Sequence, residues 1–162
     1  MPKSLLYLFI TLCFLSTTQV YASKFPDAPW GGASDTATEY KPQKVVYDVH
    51  VKTVKAVESV LDRASHLSTI TGADPFDQSI VLVLHGQELS FFAIENYSKY
   101  KALMQRAQSL VQSEALTIKM CKIAAKSQGF SPEDIHGFVE MIPMGDAEIV
   151  RLQYEENHAY MQ

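Results

Sequence analysis

The stretch IVLVLHG, residues 80–86, decides the expected fold, because five consecutive apolar residues are followed at once by a histidine and a glycine. A strand that is apolar at every position is typical of a parallel sheet whose two faces are both covered by helices. The stretch therefore predicts a central strand, residues 80–84, with His85 and Gly86 at its carboxyl end.

Strand and helix patterns alternate along the chain on both sides of this stretch. Apolar residues at every third or fourth position predict helices, and short β-branched or apolar runs predict strands. The five expected strands are KVVYDV (44–49), IVLVL (80–84), LTIKMC (116–121), VEMIPM (139–144) and AYM (159–161). The expected helices run from Val54 to the stop at Gly72, from Tyr97 to Val111, from Lys122 to Gly129 and, with Asp146 as cap, to about Asn157. The sequence from Ser131 to Asp134 adds a helix-start signal.

This alternation predicts a mainly parallel sheet of about five strands, with helices on both faces and right-handed connections. In such sheets, ligands and reactive groups gather outside the carboxyl ends of the strands. The residues that stand at those ends are Asp48 and His50, His85 and Gly86, Cys121, and residues 144–146. We therefore expect His85 and Cys121 to meet at one edge of the sheet, although they are far apart in sequence.

Composition and missing motifs exclude several functional classes. The chain has 162 residues, a net charge of -4 and a pI near 5.7, which suits one compact domain. No strongly basic segment is present for binding nucleic acid, and no glycine-rich loop follows residues 44–49 to hold nucleotide phosphates. His50, His85, Cys121 and Met144 lie near one edge, but no CxxC or HxxxH spacing supports a metal site. We expect no nucleic-acid partner, no metal and no cofactor.

The N-terminal residues are typical of an export signal. Residues 1–22 contain a lysine, an apolar run from Leu5 to Leu15 and small residues before a cleavage point after Ala22. The apolar run is shorter than the roughly 20 residues that span a bilayer, so we expect no stable membrane anchor. Residues 23–43, rich in Pro, Gly, Ser, Thr and Asp, predict an irregular arm, and residues 44–162 predict the domain. The mature protein is expected in the periplasm or outside the cell.

Cys121 is the central candidate for chemistry. Cleavage of residues 1–22 removes Cys13, so Cys121 is the sole cysteine of the mature chain and has no partner for an intramolecular disulfide. It shares a strand face with Lys119 and precedes both Lys122 and a predicted helix, and these positive charges and free N–H groups favour a nucleophilic thiolate. The alternative is a buried cysteine that fills a gap at the strand end. The sequence leaves both interpretations open.

Several motifs together resemble the DsrE/DsrF-like sulfur-relay family, which is related to TusBCD. They are KVVYDV, VLVLHG with its His-Gly end, the strand-end cysteine in IKMCKIAAKSQGF, VEMIPMG and AYMQ, and they extend over residues 44–162. The resemblance implies a three-layer α/β/α sandwich, assembly into trimers or hexamers, and a cysteine that carries sulfane sulfur as a persulfide. Cys121 corresponds to that cysteine by its place after the third strand, and His85 corresponds to the family's His-Gly end.

The function expected from this resemblance is sulfur carriage or transfer by an exported protein. A Cys121 thiolate takes sulfur from a donor and passes it to a thiol of an acceptor protein, while His85 takes the proton or hydrogen bonds the persulfide. Donor binding is assigned to five further residues at or near the same edge: Lys119, Lys122, His50, Asp48 and Gly86. The alternative function is a non-catalytic oligomeric module for ligand binding or assembly, in which Cys121 is a packed core residue.

Overall fold

The computed structural model describes residue 27 and residues 29–162, which belong to two compact units, Met1–Thr38 and Glu39–Gln162. The predicted signal peptide, residues 1–22, lies outside the described residues. In the first unit, the described residues contain turns but no helix or strand, so the helices and strands of the described chain all belong to the second unit. No helix among the described residues is long and apolar enough to cross a membrane.

The second unit is built on a parallel sheet of five strands in the order β4-β3-β2-β1-β5. The strands are β1 (Lys44–Val49), β2 (Ser79–Leu84), β3 (Thr117–Cys121), β4 (Glu140–Ile142) and β5 (Ala159–Met161). The α-helices are α1 (Val54–Ile70), α2 (Tyr97–Gln112), α3 (Lys122–Ser127) and α4 (Gly145–Glu156). Short 3-10 helices lie at Gln87–Phe92, Ile94–Asn96 and Pro132–Asp134. The predicted three-layer α/β/α fold with a parallel sheet is confirmed.

The two helical layers cover the sheet unequally. One face packs against α1 and α2 in a large apolar cluster that contains Leu61 of α1 and Met104 of α2. The other face packs against α4 in a small cluster, where Val83 of β2 meets Ile149 and Leu152. Right-handed connections explain this arrangement, because the chain advances across the sheet from β1 to β4 and then returns in the opposite direction to β5. The returning helix α4 therefore lies on the opposite face.

Local sequence accounts for the central strand and for the limits of α1. The strand β2 lies in the middle of the sheet as predicted, and residues 80–84 are all buried. The helix α1 begins where the Thr53 side chain accepts a hydrogen bond from the Ala56 N–H at 3.2 Å. It ends just before Gly72, whose φ of +102° is a conformation that glycine adopts without steric cost.

The start of α4 differs from the sequence expectation. The strand β4 ends at Ile142 rather than at residue 144, because Pro143 has no N–H group to donate to the sheet. The helix begins at Gly145 with Met144 as its cap residue, so Asp146 lies in the first turn and does not cap the helix. Gly145 consequently stands directly above the carboxyl edge of the sheet.

Two connections also fold differently from the expectation. The Ser131 signal starts only the 3-10 turn at residues 132–134, because Ile135 is extended and pairs with Ala93 in an antiparallel bridge. Ala93 separates two 3-10 helices within residues 87–96. The sequence did not predict these two helices, because the segment has no periodic hydrophobic pattern. These connections are shaped by a contact between distant segments rather than by local preference.

Candidate functional site

His85 and Cys121 lie next to each other at the carboxyl edge of the sheet. Leu84 of β2 pairs with Met120 of β3 in register, so His85 and Cys121 are the next residues on adjacent strands, which run about 4.8 Å apart. The start of α4 covers both residues. A Cβ built on Gly145 would stand 3.1 Å from His85 Cβ and 3.4 Å from Cys121 Cβ. The two side chains therefore flank a glycine, on the face of the sheet that α4 covers.

Cys121 ends β3 and also caps α3. Its Sγ accepts a hydrogen bond from the Ala124 N–H at 3.4 Å, and its backbone is extended. The thiol is unpaired and the residue is only 5% exposed. The burial agrees with the packed-cysteine interpretation, whereas the N–H donated to sulfur and the neighbouring histidine agree with the nucleophile interpretation. Cys121 is therefore largely shielded from solvent.

A series of hydrogen bonds connects His85 to Asp48 of β1 and to Tyr160 of β5. His85 Nε2 lies 2.5 Å from Asp48 Oδ1, and the Tyr160 hydroxyl donates to Asp48 Oδ2 at 2.6 Å. Gln162 Nε2 in turn donates to the Tyr160 oxygen at 3.0 Å. Burial alone would raise the pKa of Asp48, but the hydrogen bonds from Tyr160 and His85 outweigh it and hold the pKa below its ordinary value. The same hydrogen bond to Asp48 raises the pKa of Tyr160.

The residues at the ends of β1 and β2 line an open cleft of about 420 Å³. Its walls are Asp48, His50, Val51, His85 and Gln162, and the His50 and His85 rings meet edge to face with centroids 5.5 Å apart. Within the described part of the chain, neither Cys121 nor a lysine contributes to these walls. Among the residues that the structure describes, no group of three or more His, Cys, Asp or Glu side chains is placed to hold a metal ion.

Gly86 and Glu88 join the two loops that carry His50 and His85. Glu88 is fully buried, and its carboxylate accepts hydrogen bonds from the Gly86 N–H at 2.8 Å and from the Val51 N–H at 2.9 Å. The Gly86 carbonyl accepts a third bond from Gln128 at 2.7 Å. A Cβ on Gly86 would stand 2.9 Å from His50 Cα, so only glycine fits here. Both backbone polar groups of Gly86, a residue predicted to bind a donor, are thus bonded within the protein.

The two lysines predicted to bind a donor lie apart from the cleft. The Nζ of Lys119 lies 2.6 Å from Glu148 Oε1 of α4 and 3.6 Å from Glu140 Oε2 of β4. The pKa of Glu148 is lowered to about 2, mainly by the hydrogen bonds from Arg151. Burial raises this pKa, and the contact with Lys119 lowers it further. The charge of Lys119 is therefore balanced inside the protein. Lys122 lines a separate apolar cleft of about 340 Å³ beside α3.

Sequence reasoning missed Glu88 and Tyr160, which hold the site together. Glu88 carried a weak signal, since it is an isolated charge in the largely apolar run that follows Gly86. Tyr160 carried none, because only the pairing of β5 with β1 brings its side chain to Asp48. Strand-end positions, in contrast, correctly indicated that Asp48, His50, His85 and Cys121 would share one edge.

Comparison with known proteins adds information on the fold. No protein-family model and no curated protein matches the chain. Among solved structures, the chain is similar to MTH1491, a protein of unknown function from Methanobacterium thermoautotrophicum. The two chains are 19% identical, the TM-score is 0.59, and the match covers 74% of this chain and 97% of that one. At this level of identity the similarity establishes a shared α/β fold and nothing about activity.

Proposed function

We propose that the protein is an exported DsrE/DsrF-like sulfur carrier that holds sulfane sulfur as a persulfide of Cys121. The observation that supports this best is the adjacency of Cys121 and His85 on neighbouring strand ends, on either side of Gly145. A thiol next to an imidazole is the arrangement that generates a nucleophilic thiolate. Assembly into a trimer or hexamer and a location in the periplasm or outside the cell belong to the same proposal.

The proposed transfer moves one sulfur atom without a change in the total number of S–S bonds. His85 takes the thiol proton, and the Cys121 thiolate attacks the outer sulfur of a donor persulfide, R–S–SH. The donor S–S bond breaks, a new S–S bond forms at Cys121, and the donor leaves as the thiolate RS⁻. A thiolate of an acceptor protein then attacks the outer sulfur of the Cys121 persulfide and releases the Cys121 thiolate.

The burial of Cys121 favours a second candidate, the non-catalytic module for ligand binding or assembly. With 5% of its surface exposed, the residue also serves as packing at the end of β3. The two candidates differ in what the folded protein does with a sulfur donor, because a packed thiol reacts only after unfolding. Native reactivity is therefore the property to measure.

The experiment is an intact-mass measurement on the native chain after exposure to a polysulfide or a low-molecular-weight persulfide. A Cys13→Ser background makes Cys121 the single thiol, and Cys121→Ser in that background is the matched control. We expect a gain of one or more sulfur atoms that reductant reverses and that the control lacks. No gain on the folded protein, together with labelling in denaturant, would refute the carrier and support the packed-cysteine module.

A further inference from the structure

We propose that Asp48 and Tyr160 are positioning residues that hold the His85 ring with its proton on Nε2, which leaves Nδ1 as the proton acceptor. The role of this pair in sulfur transfer rests on the function proposed above, whereas its effect on the ring does not. The sequence analysis placed Tyr160 in a predicted strand without giving it a role, and Asp48 was expected to bind a donor rather than to orient a histidine.

The contact between Asp48 and His85 fixes which ring nitrogen carries the proton. An ionised carboxylate only accepts hydrogen bonds, so the nitrogen that lies 2.5 Å from Asp48 Oδ1 must be the N–H donor. The lowered pKa of Asp48 agrees with an ionised carboxylate. The exposed fractions of the two side chains are low, at 18% for His85 and 22% for Asp48, although both line the open cleft. The neutral ring is therefore held in a single tautomer.

Tyr160 fixes the orientation of the carboxylate. Its hydroxyl donates to Asp48 Oδ2, the oxygen that His85 does not use. Gln162 donates to the Tyr160 oxygen, which leaves the hydroxyl proton free to point at Asp48. Tyr160 stands next to β1 because β5 pairs in register, with Tyr160 opposite Val46. His85, which follows β2, and Tyr160 of β5 thus bond the Asp48 carboxylate from the two sides of β1. These bonds fix the ring of His85 at the edge of the sheet.

The remaining ring nitrogen, Nδ1, has no hydrogen-bond partner among the described residues. Cβ and Cγ of His85 lie 3.1 Å and 3.3 Å from the Cβ position of Gly145, which Cys121 also flanks, so the base of the His85 ring stands beside the start of α4. In strand order, His85 stands between Cys121 on β3 and Asp48 on β1. Because Nε2 of His85 is bonded to Asp48, Nδ1 of the same ring is left as the base for the thiol of Cys121.

Nitrogen-15 NMR of the histidine rings tests the tautomer directly, without any sulfur chemistry. The probe is the full chain with Cys13→Ser, measured at alkaline pH. We expect the His85 signals of a ring protonated at Nε2, and in Asp48→Asn a shift of population toward the Nδ1–H form. Asp62→Asn, which changes an exposed aspartate bonded to Arg106, is the control. An unchanged His85 tautomer in Asp48→Asn would overturn the inference.

The rate of persulfide formation at Cys121 then tests the role of the pair in transfer. We expect Asp48→Asn to slow loading roughly tenfold, at the low end of the range known for groups that orient metal-binding histidines. Tyr160→Phe should slow it by a smaller factor, because Tyr160 acts only through Asp48. Tyr154→Phe, on the exposed side of α4, is the matched control for Tyr160→Phe. Thermal unfolding of each variant identifies any loss caused by a damaged fold.

The outcomes separate the two proposals. If the wild type and both variants, Asp48→Asn and Tyr160→Phe, form the persulfide equally fast, the positioning role is overturned and the carrier function stays intact. Absence of loading in the wild type would overturn the carrier function and, with it, the role of the pair in transfer. The NMR result decides independently whether Asp48 sets the tautomer of His85.

Discussion

At the scale of single residues, Gly86 has the least room for a side chain. A Cβ there would stand 2.6 Å from Glu88 Oε2 and 2.9 Å from the backbone Cα of His50, so the two loops would have to separate. We expect Gly86→Ala to lower the free energy of unfolding by roughly 1–3 kcal/mol, measured by urea denaturation. Gly137→Ala is the control, since a Cβ at Gly137 meets nothing within 4 Å. Equal stability of the two variants would contradict the close approach.

Glu88 is the second residue that holds together the two loops that carry His50 and His85. Glu88→Ala leaves the buried N–H of Gly86 and the partly buried N–H of Val51 without acceptors and opens a cavity. We therefore expect the free energy of unfolding, measured by urea denaturation, to fall by roughly 2–4 kcal/mol. Glu88→Gln keeps one acceptor oxygen and should lose about half as much. If the alanine and glutamine variants were equally stable, the two hydrogen bonds would not be what holds the loops.

At the scale of elements, one ionic cluster fastens α4 to β3. Glu148 accepts hydrogen bonds from Lys119 and Arg151, and its pKa falls from 4.5 to about 2, with Arg151 as the main cause. Because the folded-state pKa is lowered, the stabilisation is fully present above pH 4.5 and is lost as the pH falls toward about 2. We expect a contribution of roughly 1–3 kcal/mol at neutral pH, reduced by the partial exposure of Arg151.

Urea denaturation at a series of pH values measures this contribution as the difference between the wild type and Glu148→Gln. The difference should be largest near neutral pH and should vanish in strong acid, where Glu148 is protonated in both folded and unfolded chains. Glu155→Gln is the control, because Glu155 is 69% exposed and lies 3.9 Å from Arg151. A difference that does not depend on pH would exclude the ionisation of Glu148 as its source.

The same elements show how far the sequence predicted the structure. Hydrophobic patterns located β1 and β2 almost to the residue, since buried strands need apolar runs. The strand ends correctly predicted one edge for His85 and Cys121. The 3-10 segments at residues 87–96 and the contact of Tyr160 with Asp48 escaped prediction, because each depends on a distant partner rather than on local periodicity. The function of the edge, in contrast, stays a prediction.

At the scale of the whole molecule, the unequal layers make one side of the sheet easier to open. The large cluster ties α1 and α2 to one face, whereas α4 is tied to the other face by a small cluster. Elements with fewer buried apolar contacts open at a lower free-energy cost than the rest of the fold. Since Gly145 at the start of α4 covers both His85 and Cys121, opening of α4 would expose the thiol. The low exposure of Cys121 is then compatible with the reactivity proposed for it.

Native-state exchange and alkylation test this route. We expect the amides of α4 to exchange at a lower free energy than those of β2, and Leu152→Ala to accelerate alkylation of Cys121 in the folded protein. Leu61→Ala is the matched control, because Leu61 and Leu152 are both buried, at 0% and 1% exposure, and each truncation costs roughly 2–5 kcal/mol. Leu61 belongs to the opposite face, so its loss destabilises the fold without loosening α4 in particular. Equal acceleration by the two variants would mean that Cys121 reacts only through global unfolding, which a carrier in its folded state does not do.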